Sequence, residues 1–233
     1  MKSYLLSSFM FLMVAGCCVY NPQTTDIPLI NGKNDLRIDA GISLIPSVNA
    51  TISYGLTNKM AIQAFGSIGS EDRSYFQVAP GIYKDFTNNN VMELYGGFGT
   101  GHGDVFNDAN PGHLVGNYQI YFVQYNFGKH NSNNTNTDYG FGIKTGYFHS
   151  NLTDKNYYDI YPENVPYTTD KENSILIEPT IFARFGGEKF KFSIKAGACW
   201  IIKITNPDKY IPTQVINIGL GINYSFKDLT HKK

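Results

Sequence analysis

The sequence predicts an all-β chain folded as a single antiparallel up-and-down transmembrane β-barrel of about ten strands. Three observations carry that expectation. From Asp35 onward the chain repeats runs of about ten residues in which apolar and polar side chains alternate. The connections between runs are short on one side and longer on the other. Glycine collects on the polar face of the runs.

Composition sets the outer bounds. The 233 residues carry no formal net charge, and only 16% are charged. With 17 Tyr, 16 Phe and 23 Gly, this is not a disordered composition, which would be poor in aromatics. The balanced charge gives no basic excess of the kind a nucleic-acid binder needs. Three cysteines exclude a disulfide scaffold.

Residues 1–16 read as an address. Lys2 gives a positive start, and Leu5 to Val14 is an apolar stretch too short to span a bilayer as a helix. It ends in Val14-Ala15-Gly16-Cys17, which resembles the bacterial lipobox. The resemblance implies a lipoprotein signal peptide, cleavage before Cys17, and lipidation of Cys17. Several acyl chains would make a stable anchor, at about 0.8 kcal/mol per buried CH₂. Residues 17–34, with Pro22, Pro28 and Gly32, show no sustained period and are expected to be a tether.

The expected barrel spans 35–226, with a tail over 227–233. Its strands are expected at 35–45, 48–57, 60–68, 74–86, 91–101, 117–128, 137–149, 173–186, 188–204 and 213–226. The ninth run is the clearest. Phe190, Phe192, Ile194, Ala196, Ala198, Trp200, Ile202 and Ile204 oppose a face of Lys189, Lys191, Ser193, Lys195, Gly197, Cys199 and Lys203. The last run sets Ile216, Ile218, Leu220, Ile222, Tyr224 and Phe226 against Asn and Gly. Such lengths suit tilted membrane strands of ~9–11 residues better than soluble strands of ~5–6.

Parity places both termini and the tight turns (Asn58-Lys59, 87–90, Gly187) at one end. The longer loops 102–116, 150–172 and 205–212 lie at the other. Aromatics on the apolar face collect toward both rims, for example Phe141, Phe185 and Phe192 near the turns and Phe76, Tyr121 and Trp200 near the loops.

Alternation alone does not say which face points outward. Gly41, Gly55, Gly81, Gly97, Gly99, Gly140, Gly142, Gly146, Gly219 and Gly221 all share the polar face. A narrow barrel interior needs such room, whereas a solvated surface does not. Arg37, Asp39, Gln77, Asp85, Glu93, Lys144, Glu178, Arg184, Lys189, Lys191 and Lys195 are therefore expected inside. Pro80 and Pro179 fall within strands, where a missing donor predicts bulges or broken strands.

On these runs the chain resembles small Gram-negative outer-membrane β-barrel proteins over residues 35–226. Gly221, Tyr224 and Phe226 resemble their C-terminal assembly signal, although Gly219 takes a position that is usually polar and seven residues follow Phe226. The resemblance implies the outer membrane, with periplasmic termini and a lipid on Cys17 at the inner leaflet.

Motifs that could carry chemistry are sparse. Gly96 to Gly103 looks like a phosphate cradle but lacks a following helix. His149-Ser150-Asn151 resembles the His-x-Ser-Asn motif of lipid A deacylases without its spacing, so His and Ser should face opposite ways. His102 and Asp104 come nearest to the Asp–His pair of outer-membrane proteases. His113, His130 and His231 are isolated, which argues against a metal site. The loop 150–172 mixes Asp154, Asp159, Glu163, Asp170 and Glu172 with four tyrosines, a composition suited to recognition.

The expected role is structural or surface interaction through loops 102–116 and 150–172, with no enzymatic activity, catalytic residue, cofactor or metal. Expected partners are outer-membrane lipids and an extracellular protein or glycan. The alternatives are a narrow channel or small-ligand carrier, a rim enzyme of the lipid A deacylase type, and a soluble lipidated barrel with an apolar cavity.

Overall fold

The computed structural model describes residues 19–20, 22, 26–44, 46–70, 72–106, 113–131, 136–154, 170–205 and 216–226. Cys17, the tail 227–233 and much of the loops 102–116 and 150–172 lie outside the described residues. The strands are β1 (Leu36–Ser43), β2 (Ser47–Gly55), β3 (Met60–Gly69), β4 (Ser74–Asp85), β5 (Asn90–Phe106), β6 (His113–Asn131), β7 (Thr137–Asp154), β8 (Asp170–Gly186), β9 (Phe190–Ala198), β10 (Trp200–Lys203) and β11 (Ile216–Ser225).

Every pairing is antiparallel. Consecutive strands pair from β1 to β9, β9 pairs with β11, and β11 returns to β1. β10 prolongs β9 along β8 in one register: Thr180 faces Gly197, and Ile177 faces Trp200. The sheet thus closes as a ten-stranded antiparallel barrel, with no helix among the described residues.

The two prolines act otherwise than expected. Val78 faces Phe98 and Gly81 faces Tyr95, so β4 and β5 keep one register across Pro80 and no residue is inserted. Pro80 still pairs with Ile62 of β3. Its missing N–H therefore points at β5, where pairing lapses at Ala79 and Pro80 only. Pro179 repeats the arrangement. It pairs with Ile143 of β7, while on its other side the ladder lapses between Gly197 and Trp200. The proline-bearing strands stay whole, and the break that divides β9 from β10 falls in the partner strand.

The apolar face points outward. Ile68, Val48 and Ile181 are 73%, 65% and 63% exposed, and Phe76, Tyr121, Trp200, Phe141, Phe185 and Phe192 are exposed with them. A large contiguous apolar surface in water marks a membrane or partner face. Arg37, Asp39, Gln77, Glu93, Lys144, Glu178, Arg184, Lys191 and Lys195 are buried inside as expected. Asp85 is only half-buried, and Lys189 is exposed in the turn before β9.

β5 to β8 run for 17 to 19 residues, well past the expected ends at 101, 117, 149 and 173. Toward these ends the outward residues turn polar (Thr100, Asn117, Gln119, Asn151), so the apolar signal stops. The backbone ladder needs no apolar side chain and continues, pairing Phe106 with His113 and Leu114 with Asp154. The parts of 102–116 and 150–172 that are described extend the barrel wall beyond its apolar band.

Candidate functional site

The lumen is occupied by the chain's own N-terminal part. Residues 17–34 carry no sequence period and were expected to be a tether, yet Val19, Tyr20, Pro22 and Asp26–Asn31 are buried within the barrel. Val19 lies against Gly103, near the loop end of β5. The Leu29 carbonyl accepts from His130 Nε2 at 3.0 Å, near the turn end of β6. The chain therefore descends the lumen from the loop end to the turn end and then turns into β1. Val19 and Phe226 sit at opposite ends, so these residues do not share the side that parity suggested.

At the loop end an aromatic layer receives Tyr20. Its ring meets Tyr118 and Phe148 edge-on, both at 5.4 Å between centroids, and Tyr75 at 6.2 Å. The Tyr20 hydroxyl donates to Glu178 Oε1 at 2.8 Å. Glu178 Oε2 pairs with Lys144 Nζ at 2.5 Å, and that ammonium lies 5.5 Å from the Phe122 ring centre.

In the middle, Asp26 enters a charged layer. Its Oδ1 meets Arg184 Nη2 at 2.8 Å and Lys195 Nζ at 3.1 Å. Lys195 also meets Asp39 Oδ1 at 2.5 Å. Gln63 and Gln124 donate to the Asp26 main-chain carbonyl at 3.2 and 3.1 Å. Asn217 donates to the Pro22 carbonyl.

Toward the turn end the wall grips the backbone itself. Arg37 Nη1 donates to the Pro28 carbonyl at 2.7 Å. The Ile30 N–H donates to Glu93 Oε1 at 2.7 Å, and the Asn31 N–H to Asp35 Oδ2 at 2.7 Å. Asp138 holds both His130 Nδ1, at 2.9 Å, and Lys191 Nζ, at 2.7 Å. Leu29 adopts a φ of 55°, a left-handed conformation that costs a non-glycine residue about 1–3 kcal/mol. These contacts, and the packing of Ile27 and Leu29 with Val91 and Phe182, offset that strain.

The inward glycines make this arrangement fit. A Cβ at Gly97 would stand 2.6 Å from Phe122 Cζ, and one at Gly81 would strike the Tyr95 ring. Against the inserted segment, a Cβ at Gly128 would stand 2.7 Å from Leu29 Cδ2 and one at Gly103 2.7 Å from the Val19 carbonyl. Gly96, which points outward, would meet nothing. The cradle-like run from Gly96 to Gly103 is thus barrel wall, part of β5.

The other sequence candidates are placed as follows. His149 and Ser150 are adjacent in β7, His149 half-buried outside and Ser150 buried inside. His149 Nδ1 pairs instead with Asn173 Oδ1 at 2.7 Å. His102 Nδ1 lies 2.9 Å from Asn117 Oδ1 on the outer face. Cys199 is buried at the break after β9. No group of three or more potential metal ligands converges among the described residues. Sequence reasoning missed Tyr20, Asp26 and His130 as lumen residues. A lone acid in an irregular stretch carries no periodic signal, but an apolar run (Ile27, Pro28, Leu29, Ile30) inside a supposed tether was a hint.

The apolar exterior, closed ladder and filled polar lumen together define a β-barrel of the outer-membrane type. The chain is similar in fold to the outer membrane protease OmpT of Escherichia coli, with a TM-score of 0.51 at 9% identity, over 84% of this chain and 94% of that one. It also matches the N-terminal β-barrel domain of Pseudomonas aeruginosa OprF, at a TM-score of 0.36 and 13% identity over 84% and 100% of the two chains. Acinetobacter baumannii Omp33 matches at 0.34 and 8% identity, over 84% and 98%. No protein-family model matches the sequence, and no curated protein is similar to it.

Proposed function

We propose that this protein is an outer-membrane β-barrel whose lumen is closed at rest by its own residues 19–20, 22 and 26–31. Its role is structural or surface contact through the loop end, including 102–116 and 150–172, without catalysis. The observation that carries the reading is the grip of wall side chains on the main chain of residues 26–31, from Gln63 and Gln124 to Arg37, His130 and Glu93. A lumen this narrow has room for little besides side chains. Here the remaining space holds a peptide segment.

The exposed apolar band and the fold shared with OmpT support the membrane assignment. Lipidation of Cys17 stays part of the proposal on the lipobox resemblance alone. With Val19 at the loop end, a lipid held at the periplasmic leaflet loses its geometric support. The test is planar-bilayer recording of the purified full chain. The reading expects no steady conductance. A steady open level in most insertions overturns it.

A further inference from the structure

Arg184 is fully buried, and among the described residues its only hydrogen-bonded carboxylate is Asp26, through Nη2 at 2.8 Å. Among the described residues its Nε and Nη1 find no hydrogen-bond partner, and Asp39 Oδ2 stands off at 3.9 Å from Nε. A guanidinium offers five donors in a planar fork, and idle buried donors are costly. Three other lumen cations find their carboxylates in the wall or at its edge: Lys144 on Glu178, Lys191 on Asp138, and Arg37 on Asp35. Arg184 takes its carboxylate from the inserted segment instead. Lys195 is shared between that carboxylate and Asp39.

We propose that Arg184 and Lys195 form a carboxylate-binding site in the lumen wall, occupied at rest by the Asp26 side chain, for which small carboxylate anions compete. The ligand class follows from the idle donors. Asp26, fixed by its backbone, gives Arg184 one oxygen. A free planar carboxylate can give two, matching the fork in a bidentate pair. The strained φ of Leu29 lies just beyond Asp26, so a carboxylate that displaces Asp26 also removes a restraint on a segment holding unfavourable backbone geometry. The exchange is one carboxylate for another, with no covalent step. It rests on the lumen being filled by residues 19–20, 22 and 26–31, and its test reads anion binding, whereas the bilayer recording reads closure.

The experiment is a thermal melt of the full chain in detergent, wild type and Asp26→Ala, in sodium acetate or sodium chloride at equal ionic strength. Asp26→Ala melts several degrees below wild type in chloride. Acetate restores part of that loss with a saturating dependence on concentration, and Asp26→Ala/Arg184→Gln shows no acetate effect. Equal melting in both salts, or equal recovery in the double variant, overturns the proposal. Should Asp26→Ala not fold, amide exchange of wild-type peptides spanning 26–31 decides. Faster exchange in acetate than in chloride supports the competition, and identical exchange overturns it.

Discussion

Ile27 occupies the space that Gly142 leaves by having no side chain. A Cβ on Gly142 would stand 3.0 Å from Ile27 Cδ1 and 2.7 Å from Asn126 Oδ1. The first residue belongs to the inserted segment and the second to the wall, so the glycine is cut to fit both. Overpacking a filled site costs about 1–3 kcal/mol, and truncating a buried isoleucine about 2–5 kcal/mol. Gly142→Ala and Ile27→Ala should each lower the urea midpoint, and the double variant should lose less than the two together. Strict additivity would mean that the contact does not form in the folded protein.

The Lys144–Glu178 pair is buried at both ends and is completed by the Tyr20 hydroxyl. Removing one partner of a buried pair strands the other, at about 3–5 kcal/mol. Lys144→Ala should therefore destabilise far more than Tyr20→Phe, which leaves the ion pair and should cost about 1–3 kcal/mol. Denaturant melts of the two variants check the order.

Pro179 places its missing donor opposite the break between β9 and β10. Pro179→Ala supplies an N–H at that point and should join the two strands. Hydrogen exchange across Ala198, Cys199 and Trp200 should slow as the ladder closes. Unchanged exchange would place the cause of the break elsewhere.

The outward apolar face also bears on Cys17. On the proposed membrane assignment, strands that present Val48, Ile68 and Ile181 to the exterior should hold the body in a bilayer without a lipid. Cys17→Ser should remain in the membrane fraction and keep a heat-dependent shift on a gel. Release into detergent-free buffer would mean that the exterior is not membrane-facing.

The barrel was legible because period-two alternation depends only on each strand's own residues, and ten such runs leave few ways to bury or expose them. Even the choice of face could be read, since glycine clusters where rings such as Phe122 and Tyr95 lie flat against the wall. Pro80 and Pro179 were located correctly but misjudged. A missing donor disturbs only the neighbour it faces, and which neighbour that is follows from the ladder and not from the proline's own strand.

The sequence by itself determined the closed antiparallel sheet, its apolar exterior and most of its charged interior. Only the tertiary structure decided what fills that interior. Asp26 meets Arg184 across 158 residues of chain, and Tyr20 meets Glu178 across as many. Contacts of that kind leave no periodic trace in a segment that is neither strand nor helix. Its main chain is held by side chains from many strands, and those converge only once the barrel has closed.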